Sequence, residues 1–523
     1  MARPPADPYA INGKFPPPDV SVDVLVVGGG EAGGAAALEA ARAGASVLLV
    51  DENPVTARSM GDDVPLYFGG RMSGAVQNPG RMLEQVFAAS PWLEAAAEAG
   101  AEIALSTTCW GAFVNGPALQ ALPAPVAGLA DAERSWMCGF KSLVLATGAR
   151  DLAYAFPGWD QPGVIGAGAL ATLLTRYDAF AGRRIVILGS GDLALATALL
   201  ALDRGLDVAG LVEVRDASQG SPALVEALRV RGTPIFTGCT VAGVDGGPGG
   251  VEAVTLAPVT GDGAPQTLAC DTLCVAIGQV PAVELLGVLG GRLAPVSARG
   301  GWTPVLEGQA VAGLANVFVA GDCAGLGGGD PAAQGRASAR AALGLAAEAP
   351  ASRSAPDFDH HAYRLAWFDA LRGDDDVIVC QCEGVTRADL IGVEAPAYVP
   401  RPGGGHPHSL RDIAGDRAAN PDQVKRLTRA GMGVCQGRRC REQVAMTLAR
   451  AAGSDLAEVP LATYRAPVRP LPLKVLAAWD EGPAMAGNWD VWYGGSGQWV
   501  PYRDIGTPRE ALHANLLADE TSS

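Results

Sequence analysis

Residues 21–43 read SVDVLVVGGGEAGGAAALEAARA, and this stretch decides how the chain folds. Its apolar beginning, residues 21–27, is typical of a fully buried parallel strand, and its alanine-rich end, residues 34–43, is typical of a helix. The turn between them has the form G-x-G-x-x-G, in which the glycines permit a tight bend, a close approach to a pyrophosphate and close helix packing. The sequence therefore predicts a dinucleotide-binding fold whose turn is built on Gly28, Gly30 and Gly33.

An acidic residue follows this turn at the spacing that the fold requires. The run 45–50 predicts a second strand, which ends in Asp51. A carboxylate placed about 20 residues after the turn can accept hydrogen bonds from ribose hydroxyls. Because strand, helix and terminal acid occur together, a dinucleotide site is a stronger interpretation than a simple glycine turn.

Two later stretches favour FAD over NAD in this first fold. Residues 143–148, LVLATG, predict a short buried strand that ends in Thr147 and Gly148, and strand 316–320 ends in Gly321 and Asp322. Both resemble signatures of the two-dinucleotide-domain flavoproteins of the glutathione-reductase-like class. That resemblance implies that Asp322 hydrogen-bonds the ribityl chain of the flavin and that Gly321 gives it room. The alternative is an aspartate that only caps the next helix.

A second glycine turn lies between these flavin elements. A predicted strand at 184–188, a helix to residue 203 and a strand to residue 212 surround a G-x-G-x-x-A turn. Glu213 is placed for a ribose 2'-hydroxyl and so favours NAD over NADP, although Arg215 weakens that argument. The fold could instead bind another adenine nucleotide without hydride transfer, or bind nothing. The candidate residues are Gly189, Gly191, Ala194 and Glu213.

Four cysteines near the C-terminal end provide a set of sulfur ligands. Cys380 and Cys382 are one residue apart, and Cys435 and Cys440 are separated by four residues. Zinc and a [2Fe-2S] cluster can both bind four thiolates, but structural zinc sites usually have two to four residues between paired cysteines, which the first pair lacks. The redox folds upstream favour [2Fe-2S]. Three nearby arginines could offset the negative charge of a cluster or form a solvated face: Arg438, Arg439 and Arg441.

The other six cysteines are scattered through apolar sequence. They fit small buried side chains in a reducing compartment better than a disulfide framework. No C-x-x-C or C-x4-C pair occurs in either dinucleotide fold, so thiol–disulfide exchange is not expected.

Composition excludes several classes of function. The chain has 523 residues and a formal net charge of -16 at pH 7, which would repel a nucleic-acid backbone. The beginning of the sequence lacks the basic-then-apolar order of a signal peptide, and apolar runs end well before a membrane-spanning length. We therefore expect a cytoplasmic protein with no transmembrane segment and no nucleic-acid partner.

Several short motifs resemble the flavoprotein alpha subunits of opine oxidases, and similar subunits occur in hydrogen cyanide synthase and in dye-linked proline or hydroxyproline dehydrogenases. The resemblance covers roughly residues 20–475. It implies that Cys380, Cys382, Cys435 and Cys440 are ligands of a cluster like that of bacterioferritin-associated ferredoxin. The motifs are TGAR (147–150), FPGW (156–159), PGV (162–164), GSG (189–191) and GMGVCQGR (431–438).

The resemblance also implies a partner. In such complexes an amine-oxidising beta subunit, similar to D-amino-acid or sarcosine oxidases, oxidises the substrate on its own flavin. The resemblance also allows for a small additional subunit. The alpha subunit takes the electrons onward to an acceptor that the sequence does not identify. No catalytic base or substrate-binding residue can be nominated in this chain.

The sequence thus predicts an α/β fold: a glutathione-reductase-like flavoprotein with two dinucleotide-binding domains, a small helical [2Fe-2S] domain like bacterioferritin-associated ferredoxin, and an aromatic C-terminal tail. The expected domains are an FAD-binding domain in two parts, 20–155 and 280–350, an inserted NAD-type domain at 156–279, the [2Fe-2S] domain at 374–455, and the tail at 466–523.

Three segments depart from the family pattern. The loop at 53–70 lacks the usual Pro-Gly-Gly-Gln-like sequence, so the sequence does not identify the residues that contact the flavin ring. His406 and His408 lie in a glycine-rich loop that is better explained as solvated than as a metal site. The tail sequence predicts a hairpin, which either forms a subunit interface or packs on the chain's own core. Its large aromatic residues are Trp489, Trp492, Tyr493, Trp499 and Tyr502.

The leading hypothesis is an electron-transfer subunit of a heteromeric amino-acid or opine dehydrogenase or oxidase that relays electrons through FAD and [2Fe-2S]. One alternative is a self-contained NADH-dependent reductase in which the second fold delivers hydride to FAD. Another is a scaffold with vestigial nucleotide sites and zinc bound to the cysteines.

Overall fold

The computed structural model describes residues 17–55, 70–115, 122–261, 263–346, 358–371, 375–399, 409–414, 420–478 and 507–509. The predicted aromatic hairpin, the two loop histidines and most of the 53–70 loop lie outside these ranges.

The strand, turn and helix predicted at residues 21–43 are confirmed. Strand β1 (Val20–Val27) leads into helix α1 (Glu31–Arg42), and strand β2 (Val47–Asp51) is buried along its whole length. The elements that follow are helices α2 (Pro79–Ala89) and α3 (Pro91–Glu98), strands β3 (Glu102–Leu105), β4 (Thr108–Phe113), β5 (Val126–Ala130), β6 (Ser135–Leu145), β7 (Ala149–Asp151) and β8 (Val164–Gly166), and helix α4 (Ala167–Thr175).

The second dinucleotide fold repeats the same order of elements. Strand β9 (Arg184–Leu188), helix α5 (Asp192–Asp203) and strand β10 (Asp207–Val212) lie where the sequence predicts them. The remaining elements are helix α6 (Pro222–Val230) and strands β11 (Ile235–Phe236), β12 (Cys239–Gly247), β13 (Gly250–Pro258), β14 (Gln266–Ala269), β15 (Thr272–Val275) and β16 (Gln279–Pro281). A parallel sheet has the strand order β11-β10-β9-β15-β8, and an antiparallel sheet has the order β12-β13-β14.

The chain then returns to the first fold. Strand β16 pairs with β7, which brings the chain back beside the end of β6. The returning elements are helix α7 (Glu284–Val288), strands β17 (Leu293–Val296), β18 (Gly301–Pro304), β19 (Leu306–Glu307), β20 (Ala310–Val311) and β21 (Leu314–Val319), and helix α8 (Pro331–Ala342).

The sheet of the first fold brings three distant turns together. Its order is β19-β20-β21-β6-β1-β2-β3, with β5 and then β4 attached at β6. Strands β21, β6 and β1 are parallel neighbours. The glycine turn after β1, Thr147 after β6 and Gly321 after β21 therefore lie at one edge, at the carboxyl ends of the strands, where such folds bind ligands.

The C-terminal region of the described chain is mainly helical. It contains helix α9 (His360–Ala370), strands β22 (Ile378–Cys380) and β23 (Val385–Thr386), and helices α10 (Arg387–Gly392), α11 (Leu410–Ala414), α12 (Pro421–Thr428), α13 (Arg441–Ala452) and α14 (Leu473–Ala477). We call the part from β22 to α13 the cysteine domain.

The two cysteine pairs lie in different local structure. Cys382 lies in the turn between β22 and β23, which pair with each other, and helix α10 begins only at Arg387. Thr386 caps that helix: its hydroxyl accepts from Asp389 N–H, and the Asp389 carboxylate accepts from the Thr386 backbone. Cys440, in contrast, is the N-cap residue of α13.

A single hydrophobic core connects the second dinucleotide fold to the cysteine domain. It includes Val212 and Leu256 of that fold, Trp367 of α9, and Cys440 and Val444 of the cysteine domain. Burial of apolar surface is the main stabilising contribution to folding, so these two parts of the chain stabilise each other.

Candidate cofactor sites

The first glycine turn has the geometry of a pyrophosphate-binding turn. Gly28 adopts φ +112°, and a Cβ there would lie 2.1 Å from the carbonyl oxygen of Ala146. A Cβ on Gly33 would lie 1.8 Å from the carbonyl oxygen of Gly28, so only glycine lets α1 approach β1 so closely. Gly30 differs, because no atom of the described residues lies within 4 Å of the position of its Cβ. The free space at Gly30, directly before the N-terminus of α1, fits a ligand phosphate.

We expect Gly30→Ala to retain the fold but to weaken FAD binding by about tenfold or more, equivalent to about 1.4 kcal/mol. The added methyl meets no protein atom, and Gly30 has φ -74°, which alanine adopts readily. It would occupy the space that the pyrophosphate needs. Fluorescence titration with FAD, together with the thermal midpoint of the apoprotein, measures both effects.

Gly191→Ala is the matched control. Gly191 holds the same position in the second turn, and no protein atom lies within 4 Å of its Cβ position either. This variant should bind FAD like the wild type. Unchanged FAD affinity in Gly30→Ala would contradict the assignment of the first turn.

Asp51 lies at the end of β2, next to the glycine turn. Its Oδ2 accepts a hydrogen bond of 2.7 Å from Gly29 N–H. Its Oδ1 accepts from Asn53 and from Arg176, which is 3.0 Å away. Among the described residues, Oδ2 has one donor, Gly29 N–H, and it can accept one more hydrogen bond. Asp51 can therefore bind one ribose hydroxyl, while Arg176 and Asn53 hold the carboxylate in place.

The two later flavin elements lie beside this turn, after the neighbouring strands β6 and β21. The Thr147 hydroxyl donates to Ala282 C=O at 2.8 Å, which links the end of β6 to the chain returning from β16. Gly148 has φ +67° and Gly321 has φ +75°, so both adopt the left-handed conformation that favours glycine. A Cβ on Gly321 would lie 3.1 Å from the Cβ of Ala32 in α1.

Asp322 has the surroundings of a residue that lines a cleft. Its side chain is exposed to solvent, yet neighbouring protein atoms desolvate the carboxyl group enough to raise its pKa. Among the described residues, none donates a hydrogen bond to this carboxylate. It is therefore available to a polar ligand, as the flavin resemblance implies.

The second glycine turn has similar backbone geometry. Gly189 has φ +107°, and a Cβ there would lie 2.7 Å from Ala276 C=O. Ala194 is completely buried where α5 packs on the sheet.

Glu213, however, does not face an open cleft. It is 0% exposed, and its carboxylate accepts hydrogen bonds from the Ser190 hydroxyl at 2.5 Å, the Tyr363 hydroxyl at 2.7 Å and Arg215 N–H at 3.0 Å. The structure thus brings Glu213 and the turn together as expected, but it also places Tyr363 of α9 between them.

The sequence analysis missed Tyr363. It lies 150 residues from Glu213, so no local spacing connects the two. The available signal was the aromatic stretch HHAYRLAWF at residues 360–368, which is typical of a buried helix and stands just before the first cysteine pair.

The four predicted ligand cysteines lie together as two pairs. The Cys380 and Cys440 thiols lie close enough to interact, and so do those of Cys382 and Cys435. The thiol of Cys440 lowers the pKa of Cys380, and the thiol of Cys382 lowers the pKa of Cys435 to about 5, because each donates to the neighbouring thiolate. Cys380 and Cys440 are 2% and 1% exposed, whereas Cys382 and Cys435 are half-buried.

The paired arrangement bears on the kind of metal centre. In the described ranges, no group of three or more His, Cys, Asp or Glu side chains converges on a position for one metal ion. A single zinc ion would require four ligands about 2.3 Å from a common point. A [2Fe-2S] cluster instead binds two thiolates on each of its two irons. Two sulfur pairs match this division of the ligands between two irons.

The loop from Gly431 to Cys440 is shaped around these sulfurs. Gly431 and Gly437 have φ +81° and +76°, and Gln436 has φ +53°. Gly431 N–H donates to the Cys380 sulfur at 3.4 Å. Backbone donors of this kind stabilise negative charge on sulfur.

Arg441 places a buried positive charge beside the cysteines. It is 7% exposed, its guanidinium carbon lies 3.8 Å from the centre of the Tyr464 ring, and one of its nitrogens donates to Gln436 C=O. Its Nε and Nη1 are buried and have no hydrogen-bond partner in the described chain. A buried, incompletely paired cation is costly on its own. Arg441 therefore suits a cysteine site that gains negative charge when it binds a metal centre.

Arg150 connects the flavin edge of the first fold to the cysteine domain. Its guanidinium donates to Glu284 at 3.0 Å, to both oxygens of Glu442 at 2.9 and 2.5 Å, and to Arg438 C=O at 2.6 Å. Arg438 lies in the loop between two of the cysteines, and Glu442 lies in the first turn of α13. Burial alone would raise the pKa of Glu284, but Arg150, followed by Arg469 and Arg441, lowers it to about 2.

The six remaining cysteines do not form a redox pair. All ten cysteines of the chain are free of disulfides in the structure. Burial raises the pKa of Cys109 and Cys138 to about 12 and that of Cys270 to about 11. These thiols are therefore protonated and unreactive at neutral pH.

Comparison with known proteins adds the following findings. The family model described as pyridine nucleotide-disulphide oxidoreductase matches residues 22–346, and the sarcosine oxidase A3 domain model matches residues 408–480. The chain is 27% identical over 490 residues to an opine oxidase subunit from Rhizobium meliloti, covering 87% of each protein. It is 28% identical over 497 residues to hydrogen cyanide synthase subunit HcnB of Pseudomonas aeruginosa, covering 86% of this chain and 97% of the relative.

Among solved structures, L-proline dehydrogenase from P. horikoshii has a TM-score of 0.59 and 22% sequence identity, covering 87% of this chain and 79% of that chain. This similarity shows a shared fold. No helix within the described ranges is long and apolar enough to cross a membrane.

Proposed function

We propose that this FAD-dependent oxidoreductase, which belongs to the pyridine nucleotide-disulphide oxidoreductase family, is the electron-transfer subunit of a heteromeric enzyme. That enzyme would be an amino-acid or opine dehydrogenase or oxidase. This chain would receive electrons from the flavin of a partner subunit and relay them through FAD and a [2Fe-2S] cluster. The observation that carries this proposal is the pairing of the four thiols, Cys380 with Cys440 and Cys382 with Cys435, with the first pair buried in the core that continues into the second dinucleotide fold.

In this proposal the first fold holds FAD. The glycine turn and the N-terminus of α1 bind the pyrophosphate, and Asp51 binds a ribose hydroxyl. Asp322 binds the ribityl chain, and Gly148 and Gly321 leave room for the flavin at the sheet edge. Bound FAD exchanges electrons in pairs or singly, which allows it to stand between a two-electron donor and a one-electron centre.

The cysteine domain holds the one-electron centre. Cys380 and Cys440 would bind the inner iron, because they are almost completely buried, and the half-buried Cys382 and Cys435 would bind the outer iron. Gly431 N–H and the Arg441 guanidinium stabilise the negative charge of the bound cluster.

Disulfide reduction, the reaction in the family's name, does not suit this chain. Such enzymes need a reactive cysteine pair close to the flavin. Here the cysteines of the two dinucleotide folds are unpaired, and burial raises the pKa of Cys323, the cysteine next to Asp322.

A partner subunit is part of the proposal. The relatives over most of the chain are subunits of opine oxidase and hydrogen cyanide synthase, and the region 408–480 matches a sarcosine oxidase domain. The partner would be an amine-oxidising flavoprotein similar to D-amino-acid or sarcosine oxidases, with or without a small third subunit. A cytoplasmic location, supported by ten cysteines without a disulfide, completes the proposal.

Anaerobic purification of the complex from its native source tests this function. We expect a companion flavoprotein, FAD in this chain, equal amounts of iron and inorganic sulfide, and the broad visible absorption of [2Fe-2S]. Addition of a secondary amine or amino acid that the companion oxidises should bleach both chromophores. A chain that purifies alone, or that contains zinc in place of iron, would contradict the proposal.

A further inference from the structure

The crevice of the second dinucleotide fold contains a side chain from elsewhere in the same protein. The Tyr363 hydroxyl donates to Glu213 Oε2 at 2.7 Å and accepts from Ser190 N–H at 3.2 Å. Ser190 is the middle residue of the glycine turn, and Glu213 immediately follows β10. Tyr363 is 1% exposed, and Ser190 and Glu213 are completely buried.

These two contacts are the ones that an adenosine ribose would need. In a dinucleotide-binding fold the acid after the second strand accepts from ribose hydroxyls, while the ribose lies against the glycine turn. A hydroxyl already lies between these two groups. The Arg215 guanidinium carbon is also 5.2 Å from the centre of the Tyr363 ring, so the residue next to the acid covers the same position.

The helix that carries Tyr363 is fixed by contacts on several sides. Arg364 donates to Gln279 C=O at 2.6 Å and to Gly300 C=O at 2.8 Å. At the N-terminus of the helix, Asp359 accepts from the Ser297 hydroxyl at 2.5 Å. At the other end, Ala370 C=O accepts from the Thr240 hydroxyl at 3.3 Å. Displacement of α9 would therefore break contacts with both dinucleotide folds and expose the fully buried Trp367.

We propose that Tyr363 is a specificity-determining residue that takes the place of the ribose and keeps NAD(H) out of the second dinucleotide fold. This fold then serves as the binding surface for α9 and, through the common core, for the cysteine domain. The chain cannot take hydride from NADH there and depends on another donor. This inference goes beyond the proposed function and does not require either cofactor to be present.

Calorimetric titration of the FAD-loaded protein with NAD⁺ tests the inference, because FAD blocks the first fold. We expect no saturable binding to the wild type. Tyr363→Ala should bind NAD⁺ at least about tenfold more tightly than the wild type, because the ribose position is no longer filled. Tyr154→Phe is the matched control: its hydroxyl donates to Arg364 C=O on the same helix at 3.2 Å but lies away from Glu213. It should bind no NAD⁺.

Glu213→Gln identifies the site if the wild type does bind NAD⁺. Binding that this substitution weakens by about tenfold or more would take place at the second fold and would overturn the inference. NAD⁺ binding that Glu213→Gln leaves unchanged would take place outside the second fold. That result supports the inference, because the second fold would then still exclude NAD⁺. A Tyr363→Ala protein that folds but binds no more NAD⁺ than the wild type would overturn the role of Tyr363. If Tyr363→Ala does not fold, the NAD⁺ titrations of the wild type and of Glu213→Gln still show whether the second fold binds NAD⁺.

Discussion

Substitution of Cys440 by alanine is expected to remove nearly all cluster iron, a decrease of more than about tenfold, while FAD binding is retained. Cys440 is 1% exposed and forms a pair with Cys380, so its loss would leave a bound cluster with an incomplete set of thiolate ligands. The first fold, where FAD would bind, does not include this residue. Iron and sulfide assays, together with visible absorption, measure the change.

Cys274→Ala provides the control for this experiment. Cys274 is also completely buried, but it lies on β15 of the second dinucleotide fold, away from the two sulfur pairs. Its removal should leave the iron content unchanged. Iron content in Cys440→Ala equal to that of the wild type would show that the four cysteines do not form the cluster site.

Substitution of Arg150 by methionine is expected to destabilise the protein by about 3–5 kcal/mol, because it leaves two carboxylates without their buried partner. Glu284 and Glu442 have side chains that are 3% and 13% exposed, and both are paired with Arg150. Urea unfolding at pH 7, followed by tryptophan fluorescence, measures the loss. The same variant should lose iron more readily, because Arg150 also donates to the carbonyl of Arg438 in the cysteine loop.

Two comparisons identify the cause of that loss. Arg229→Met breaks an ion pair in which the side chains are 72% and 58% exposed, and we expect almost no change in stability because water already solvates both charges. Combining Arg150→Met with Glu284→Gln and Glu442→Gln removes the unpaired charges and should recover much of the lost stability. If Arg150→Met is no less stable than Arg229→Met, the buried network does not hold the two domains together.

The destabilisation should depend on pH in a defined direction. In the wild type the pKa of Glu284 is about 2, below its ordinary 4.5, so this group stabilises the fold above pH 4.5 and loses that contribution as the pH falls towards 2. Without Arg150, burial would raise the pKa of Glu284. Protonation of Glu284 in acid would then remove the unpaired buried charge from the Arg150→Met protein. The difference between wild type and Arg150→Met should therefore be largest at neutral pH and decrease in acid.

The local parts of the fold could be predicted from the sequence. Strands β1, β9 and β10 and the two glycine turns follow from patterns within about 30 residues, because strand, turn and helix are set by neighbouring side chains. Strand β6 was predicted only over its apolar end at 143–145, yet it begins at Ser135, because its first half pairs antiparallel with β5. Lys141 and Ser142 interrupt the sequence between that half and the apolar residues 143–145, so the run of a buried parallel strand could be recognised only after them.

The contacts that decide the chemistry of the sites could not be predicted in this way. Four cysteines at suggestive spacings predict a ligand set, but not that each residue of the first pair contacts one residue of the second. Arg150 and Glu442 are 292 residues apart, and Tyr363 and Glu213 are 150 residues apart. Such pairs depend on how whole domains pack, and neither partner has a neighbouring residue that indicates the other.

The core that unites the second dinucleotide fold with the cysteine domain also limits how this architecture can be divided or recombined. A chain shortened to end before α9 would leave Val212, Leu256 and their neighbours in contact with water, and we would expect such a fragment to aggregate. Exchange of the cysteine domain between relatives would succeed only if the surface beneath it were exchanged too. Removal or exchange of the cysteine domain is therefore expected to require compensating changes on the face of the second dinucleotide fold that shares its core.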